Sequence, residues 1–311
     1  MKVSLQKAAH FLTSAEVVAL PTETVYGLAA SLHQPAAIER LFALKKRPAH
    51  NPLIIHLHSA SELKKYLLKK IPKLNELILA FWPGPLTIVI PVEEQKIPAK
   101  VRANLATAAF RVPDHPQTLE LIKKVGPIVM PSANLSGSPS ATTPFHVEKD
   151  FGSDFPVLDG GNCQNGLEST VLYFTEEKWV ILRLGALTAE QIEAVLGYLP
   201  SYLVFEKEQA KPLSPGQLLR HYAPKAKLLL DKDALQRFPP FIIGFEDRIY
   251  SSNATILSLG PSNSCEIVAK NLYHALRELD IKQASWAWVD MDFPDTGLWK
   301  VIRERLQRAS Q

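Results

Sequence analysis

Short runs of β-branched, aromatic and other apolar residues recur along the first two thirds of this chain, and between them apolar residues return at helical spacing. The runs lie at Glu16–Leu20, Leu53–Leu57, Leu86–Ile90, Thr107–Val112, Pro127–Met130, Ser169–Phe174 and Trp179–Leu184. A strand sends alternate side chains to opposite faces, whereas a helix repeats about every 3.6 residues, so the two patterns exclude one another locally. Helical faces are carried by Ala37, Leu41 and Leu44, by Leu63, Leu67 and the aliphatic stem of Lys70, and by Leu74, Ile78 and Phe81. Many of the 24 prolines bracket the strand runs, as Pro83 and Pro85 do. Up to about Leu199 the chain therefore reads as α/β, a twisted mixed sheet with helices on its faces.

From Pro200 to Pro224 this regularity lapses, and the segment reads as a linker. A linker needs only polar, flexible residues, so Arg220, His221 and Tyr222 side by side are unexpected there. Alternation then returns. Strands fit Lys227–Leu230, Phe241–Phe245, Ala254–Leu259 and Trp286–Asp290, with helices over Ser264–Leu279 and Thr296–Ala309. The predicted organisation is a catalytic domain over 1–199, a linker or lid over 200–224 and a smaller Rossmann-like α/β domain over 225–311. The smaller domain has no GxGxxG or P-loop in its turns, so nucleotide binding is not assigned to it.

At 311 residues, 46% hydrophobic and 21% charged, the chain has ample material for two cores. A net charge of +4 fits an anionic substrate in one cleft better than a nucleic-acid coat. Cys163 and Cys265 are the two cysteines, and with no CxxC they form neither a disulfide framework nor a structural zinc site. The charges of Lys2, Lys7 and Glu16 make the N-terminus an amphipathic helix instead of a signal peptide. No stretch approaches the roughly 18 apolar residues of a membrane span. The expected location is the cytoplasm.

The candidate chemistry lies in the turns. Residues 131–143, PSANLSGSPSATT, follow the apolar run Pro127–Met130 and are rich in hydroxyls and amides. Such a loop at the carboxyl end of a strand suits an anion or a nucleotide, although the same residues also dominate ordinary turns. In PTETVYGL, at 21–28, Thr22 and Thr24 of an extended backbone face one side and Glu23 the other. Lys45, Lys46 and Arg47 close a predicted helix, where cations favour the macrodipole; they also suit a phosphate clamp. His56 lies within the run LIIHLH, where a histidine is usually a satisfied core or edge-strand residue. Glu168, in GGNCQNGLESTV at 160–171, is a candidate for a metal or an ammonium, or simply part of a hairpin-like loop; no metal ligand is assigned.

Arg111 and Arg183 stand inside otherwise apolar strands. A buried guanidinium needs an anionic partner, from a protein acid or from a substrate. The reading adopted is that substrate oxyanions, not the protein's own acids, neutralise both. No GxSxG, HExxH, DFG or paired CxxC is present. That favours a reaction driven by positioning and charge neutralisation, such as transfer at an ATP phosphorus.

These segments, in this order, resemble the YrdC/Sua5 family of threonylcarbamoyl-AMP synthases. The matching pieces are PTETVYGLAA at 21–30, KKRPAHNPLIIH at 45–56, FWPGPLT at 81–87, FRVP at 110–113, PSANLSGSPSATT at 131–143, GLESTV at 166–171 and LRLG at 182–185. SPGQLLRHYAP at 214–224 is similar to the linker of the longer Sua5 subgroup, which adds a C-terminal α/β domain. Departures are Lys46 where glycine is common, Gln217 where methionine is common, and a short C-terminal domain.

The resemblance implies a nucleotidyltransferase that joins L-threonine, bicarbonate or CO2, and ATP into threonylcarbamoyl-adenylate with release of pyrophosphate. A downstream transferase would use that product to make N6-threonylcarbamoyladenosine at position 37 of tRNA. By motif, Thr24, His56, Arg111, Ser132 and Ser169 would contact threonine, with Arg111 taking its carboxylate. Arg47, Asn51, Thr107, Asn134, Thr142, Arg183 and His221 would contact ATP. Lys45, beside the phosphates, and Arg47 would be the catalytic cations. Mg2+ would ride on the triphosphate, mostly through water. His221 would come from a linker folded over the cleft as a lid.

An alternative is an RNA-binding module without ATP chemistry. Lys and Arg are not interleaved with exposed aromatics in any run, so direct tRNA binding has little support in the sequence. A carbamoyl-transfer role like that of hydrogenase-maturation relatives would call for paired-cysteine zinc fingers and an acylphosphatase domain, and neither can be placed here.

Overall fold

In a computed structural model, residues 1–203, 212–214, 221–250 and 253–311 are described. Lys207, Glu208, Lys211, Gln217 and Arg220 of the linker lie outside the described residues.

In chain order the elements are β1 (Lys2–Val3), α1 (Leu5–Thr13), β2 (Val18–Leu20), β3 (Gly27–Ser31), α2 (Pro35–Lys45), β4 (Ile54–His56), α3 (Leu74–Phe81), β5 (Leu86–Pro91), β6 (Thr107–Arg111), α4 (Pro116–Val125) and β7 (Ile128–Val129). They continue with α5 (Pro144–Phe151), β8 (Val157–Leu158), β9 (Thr170–Phe174), β10 (Trp179–Arg183), α6 (Ala189–Leu196), β11 (Lys227–Leu229), β12 (Phe241–Gly244), β13 (Thr255–Ser258), α7 (Cys265–Ile281), β14 (Trp286–Val289) and α8 (Gly297–Ala309).

Among the described residues, ten strands form one sheet in the order β1-β8-β2-β3-β7-β4-β6-β5-β9-β10. Its pairings are mixed: β4 runs parallel to β6, and β5 to β9, while β3, β7 and β4 are successively antiparallel. The second sheet, β11-β14-β12-β13, is wholly parallel, with α7 and α8 packed together beside it. Parallel neighbours need crossovers: α7 connects β13 to β14, while the segment between β12 and β13 forms no helix among the described residues. The main core gathers Leu28, Ile55, Phe110, Ile88 and Leu172 from adjacent strands with Leu41 of α2 and Leu77 of α3. A second core joins α7 and α8 to β12 and β14, and it takes in Val25 and Leu167 from the part of the chain that forms the large sheet. The two halves thus share buried apolar surface.

The α/β reading holds, with local differences. The N-terminal amphipathic helix is α1, capped by the Ser4 side chain, which accepts from the Lys7 amide. Leu63, Leu67 and Lys70 do not share one helix: residues 60–65 form a short 3-10 turn, and Leu67 instead bridges to Val92. The two-residue strands β1, β7 and β8 are too short to carry a period of their own. The start of the linker is held against β10, because Ile181 donates to the Ser201 carbonyl and Leu203 donates to the Ile181 carbonyl. Leu213 packs on Ile54, Val89 and Ala109.

Gly185 marks the tightest crossing near the end of β10. A Cβ there would lie 2.3 Å from the Glu168 carbonyl oxygen and 2.4 Å from the Ser169 carbonyl carbon. Both obstacles are backbone, so no rotamer relieves the clash. Gly185→Ala is expected to destabilise the fold by about 1–3 kcal/mol, the usual cost of overpacking. Chemical denaturation measures this directly, and an unchanged midpoint would show that the two segments are not packed this closely.

Candidate functional site

The cationic segment is built by the way α2 ends. Lys46 adopts a left-handed conformation (φ 51°), and the Lys46 and Arg47 amides donate to the Ala43 and Phe42 carbonyls. This cap reverses the chain and separates the directions of the three cations. Lys46 stays exposed, while Lys45 is buried at 2% exposure. The Lys45 Nζ donates to the Ser132 and Asn134 carbonyls at 2.5 and 2.6 Å. Burial, followed by the nearby Arg47 charge, holds its pKa well below the usual lysine value. Two of its three N–H donors are therefore engaged by the 131–143 loop.

Arg47 folds back over the turn that follows. Its Nη2 donates to the Asn51 Oδ1 at 2.6 Å and to the Pro52 carbonyl at 2.7 Å, and its Nε to the Asn51 carbonyl at 3.1 Å. These acceptors are neutral. Burial and the Arg183 charge lower the Arg47 pKa to about 9, so the two guanidinium groups are electrostatic neighbours although their chain positions are far apart. Arg183, in β10, donates from Nε and Nη2 to the Ser169 carbonyl and from Nη2 to the Ser169 hydroxyl. Ser169 in turn shares a 2.7 Å hydrogen bond with Thr87.

Arg111 lies at the end of β6, in register with His56 of β4. Its Nη2 donates to the Glu23 Oε1 at 2.6 Å and to the Thr24 Oγ1 at 2.9 Å, and its Nε to the Gly84 carbonyl at 3.1 Å. Both ion-pair partners are buried. This overturns the expectation that a substrate oxyanion alone neutralises Arg111: the protein supplies the counter-charge. Glu23 is also not opposite Thr22 and Thr24, because the segment is not extended. The Thr22 hydroxyl accepts from the Thr24 and Val25 amides, and the resulting turn brings Glu23 and Thr24 to the same guanidinium. The second Glu23 oxygen accepts from the Asp114 amide. The Arg111 Nη1 makes no hydrogen bond among the described residues.

His56 is buried in an interior strand, and burial followed by the Arg111 charge lowers its pKa to about 3. It is a neutral imidazole. Its Nδ1 faces the Ile54 carbonyl at 3.2 Å, so that nitrogen carries the proton and Nε2 keeps a lone pair. The same β4–β6 register sets Thr107 at the opposite end of β6, toward Asn51, about 13 Å from Arg111 at the usual rise per residue.

In the 131–143 loop, Asn134 donates from Nδ2 to the Leu135 and Ser138 carbonyls, leaving Oδ1 buried without a hydrogen bond among the described residues. Thr142 directs its amide and hydroxyl to His146 Nδ1. The linker's far end joins here, since the Ala223 amide donates to the Gly137 carbonyl. His221 Nδ1 is buried without a hydrogen bond among the described residues, and burial lowers the pKa of the ring to about 3. Its ring lies against Tyr222 with centroids 4.1 Å apart. The charges of Lys45 and Arg183 are among those acting on it.

Glu168 is not an open ligand for a metal or an ammonium. It accepts from Ser140 Oγ at 2.5 Å, Tyr273 OH at 2.8 Å and Arg305 Nε at 3.3 Å. Burial alone would raise its pKa, but Arg305, Arg183 and the two hydroxyls outweigh this and bring it to about 2. Among the described residues no group of three or more His, Cys, Asp or Glu is placed to hold a metal ion. No helix among them is long and apolar enough to cross a membrane. The sequence reading missed Glu23, Tyr273 and Arg305. Only Glu23 carried a signal, as an acid flanked by threonines in an otherwise apolar stretch.

Thr24, His56 and Arg111 therefore form one group with Glu23. Arg47 holds Asn51, Arg183 holds Ser169, and Lys45 holds the loop that carries Ser132 and Asn134, while the charges of Lys45 and Arg183 act on His221.

With this geometry in hand, residues 10–185 match the family described as telomere recombination (Sua5, YciO, YrdC), and residues 187–311 match the threonylcarbamoyl-AMP synthase C-terminal domain. The chain is 38% identical to the threonylcarbamoyl-AMP synthase of Bacillus subtilis, over 98% of this chain and 92% of that one. It is 37% identical to the threonylcarbamoyl-AMP synthase of Pyrococcus abyssi, over 97% and 93%. Its fold matches the crystal structure of P. abyssi Sua5 complexed with L-threonine with a TM-score of 0.87, at 35% identity, covering 100% of this chain and 96% of that one. The chain belongs to the Sua5/YrdC family of threonylcarbamoyl-AMP synthases, nucleotidyltransferase-type enzymes that make threonylcarbamoyl-adenylate.

Proposed function

We propose that this protein makes L-threonylcarbamoyl-adenylate from L-threonine, bicarbonate or CO2, and ATP, releasing pyrophosphate. Residues 1–199 act as the catalytic domain, 200–224 as linker and lid, and 225–311 as the C-terminal domain. The product then serves a downstream transferase that forms N6-threonylcarbamoyladenosine at position 37 of tRNA, in the cytoplasm.

The observation that carries this reading is the setting of Arg47, whose guanidinium reaches only neutral oxygens among the described residues while the charge of Arg183 acts on it. A triphosphate between them would relieve both the like-charge repulsion and the desolvation. ATP is accordingly assigned to Arg47, Arg183 and Asn51, with Asn134 and Thr142 from the loop and His221 from the linker. Thr107 borders the same end of β6. Lys45 faces the phosphates with its remaining donor. Mg2+ would arrive on the triphosphate, since Glu23 and Glu168 are both occupied by protein donors.

Threonine is assigned to the other group. Its carboxylate would meet the unoccupied Nη1 of Arg111, whose charge Glu23 already balances in part. Ser132, Ser169 and Thr24 would offer hydroxyls, and His56 Nε2 would accept a proton donor of the substrate. The P. abyssi protein complexed with L-threonine supports this choice of substrate. The threonine amine attacks CO2 and loses a proton to give a carbamate. A carbamate oxygen then attacks the α-phosphorus, and pyrophosphate departs. The carbamate is labile, so enclosure and proximity matter more than a strong nucleophile.

Pyrophosphate release is expected only when ATP, threonine and bicarbonate are all present; release that persists without threonine or without bicarbonate would rule this reaction out. Arg47→Ala is expected to raise the KM for ATP about tenfold or more, as for the loss of a hydrogen bond to a charged group. The KM for threonine should move far less, and separate titrations of the two substrates check the split. Arg111→Ala leaves Glu23 as a buried unpaired acid and is expected to cost about 3–5 kcal/mol of stability, besides weakening threonine. Melting and threonine titration together test both parts.

A further inference from the structure

Arg305 belongs to α8, near the end of the chain, yet its side chain is wholly buried between the two halves. Its Nε donates to the Glu168 Oε2 at 3.3 Å, and its Nη2 donates to the Leu184 carbonyl at 2.5 Å. Its guanidinium plane lies 4.7 Å from the centre of the Tyr222 ring, and Nη1 pairs with Glu304 of the same helix. Each of the three contacts outside α8 is the immediate chain neighbour of a residue assigned to substrate: Glu168 of Ser169, Leu184 of Arg183, Tyr222 of His221. One side chain thus grips the GLESTV turn, the end of β10 and the far end of the linker at once.

We propose that Arg305 is a positioning residue of the ATP site, fixing the relative places of Arg183 and His221 through Glu168, Leu184 and Tyr222 and so making the C-terminal domain a structural part of the active centre. This rests on the proposed function above and deepens it.

The chemistry of the side chain supports the role. A guanidinium holds five N–H donors in a rigid plane and offers its face to an aromatic ring, so it can address a carboxylate, a carbonyl and a tyrosine together. A lysine ammonium keeps the charge but has neither the fork nor the face. Stability alone does not account for the arrangement, because a buried ion pair rarely outperforms well-packed apolar residues. The supporting contacts share the geometry: Tyr273 of α7 donates to the same Glu168 oxygen as Arg305 and stacks on Tyr222 with centroids 5.4 Å apart. The ion pair between Arg277 of α7 and Asp150 of α5 also crosses between the halves; the Asp150 charge acts on Lys45 but not on His221, so it serves as the control for the His221 titration.

The test compares wild type, Arg305→Lys and Asp150→Asn for folding, for the separate KM values of ATP and threonine, and for the titration of His221 by NMR. In wild type, His221 is expected to stay neutral down to about pH 4. In Arg305→Lys the KM for ATP should rise about tenfold or more. His221, released to solvent, should then titrate near the ordinary value of about 6.5. Asp150→Asn should leave the His221 titration as in wild type. A folded Arg305→Lys protein with the wild-type ATP requirement and a silent His221 overturns the proposal, as does an equal His221 response in Asp150→Asn. Should Arg305→Lys fail to fold, Tyr222→Leu, which removes the ring under the guanidinium and leaves the Arg305–Glu168 pair in place, is judged by the same two readouts. If wild type released no pyrophosphate, the proposed reaction would fall, while the His221 titration would still decide whether Arg305 seats the linker.

Discussion

One buried carboxylate ties this molecule together. Glu168 sits on the turn before β9 and receives Ser140 from the 131–143 loop, Tyr273 from α7 and Arg305 from α8. A buried acid with so many donors is a strong local constraint, because removing any partner leaves charge or a polar group unsatisfied. Its neighbours inherit the order. Ser169 follows it directly, Arg183 binds Ser169, and Tyr222 stacks under Arg305 beside His221. The large mixed sheet supplies the strands, but the register of these pieces depends on the second, parallel-sheet unit.

The electrostatics fall into two regimes. Arg111 is balanced within the protein by Glu23 and keeps one nitrogen without a hydrogen bond among the described residues. Arg47 reaches only neutral oxygens among those residues and feels Arg183 as a like charge. A site divided in this way is suited to two different anions. A guanidinium already balanced by an acid orients a small carboxylate without gripping it, while one that meets only neutral oxygens attracts a multiply charged phosphate chain. Neutral His56 and a Lys45 of strongly lowered pKa mark an interior largely screened from water.

Much of this was legible in the sequence, and the gaps have physical causes. The apolar runs around His56, Arg111 and Arg183 announced buried strands because a buried strand has no polar face to interrupt it. The strands β1, β7 and β8 stayed hidden because two residues carry no period. Glu23 was placed on the wrong side because alternation presumes extended backbone, and the Thr22 hydroxyl turns the chain by accepting from the two amides that follow. Arg305 gave no signal, since among Arg303, Glu304 and Arg308 it reads as part of a solvated helical face. Only the packing of α8 against the first domain reveals it. Glu168 looked like an open ligand for a related reason: its partners come from more than a hundred residues away in the chain, at Tyr273 and Arg305.

We propose that Arg47 and Arg183 serve the nucleotide, and that Arg111, paired with Glu23, serves the amino acid. Following the arginine Nε signals by NMR tests it without relying on turnover. A non-hydrolysable ATP analogue should shift Arg47 and Arg183 and leave Arg111 nearly still, and L-threonine alone should do the reverse. Arg47 and Arg183 signals that ignore the nucleotide, or an Arg111 signal that follows it, would contradict the account.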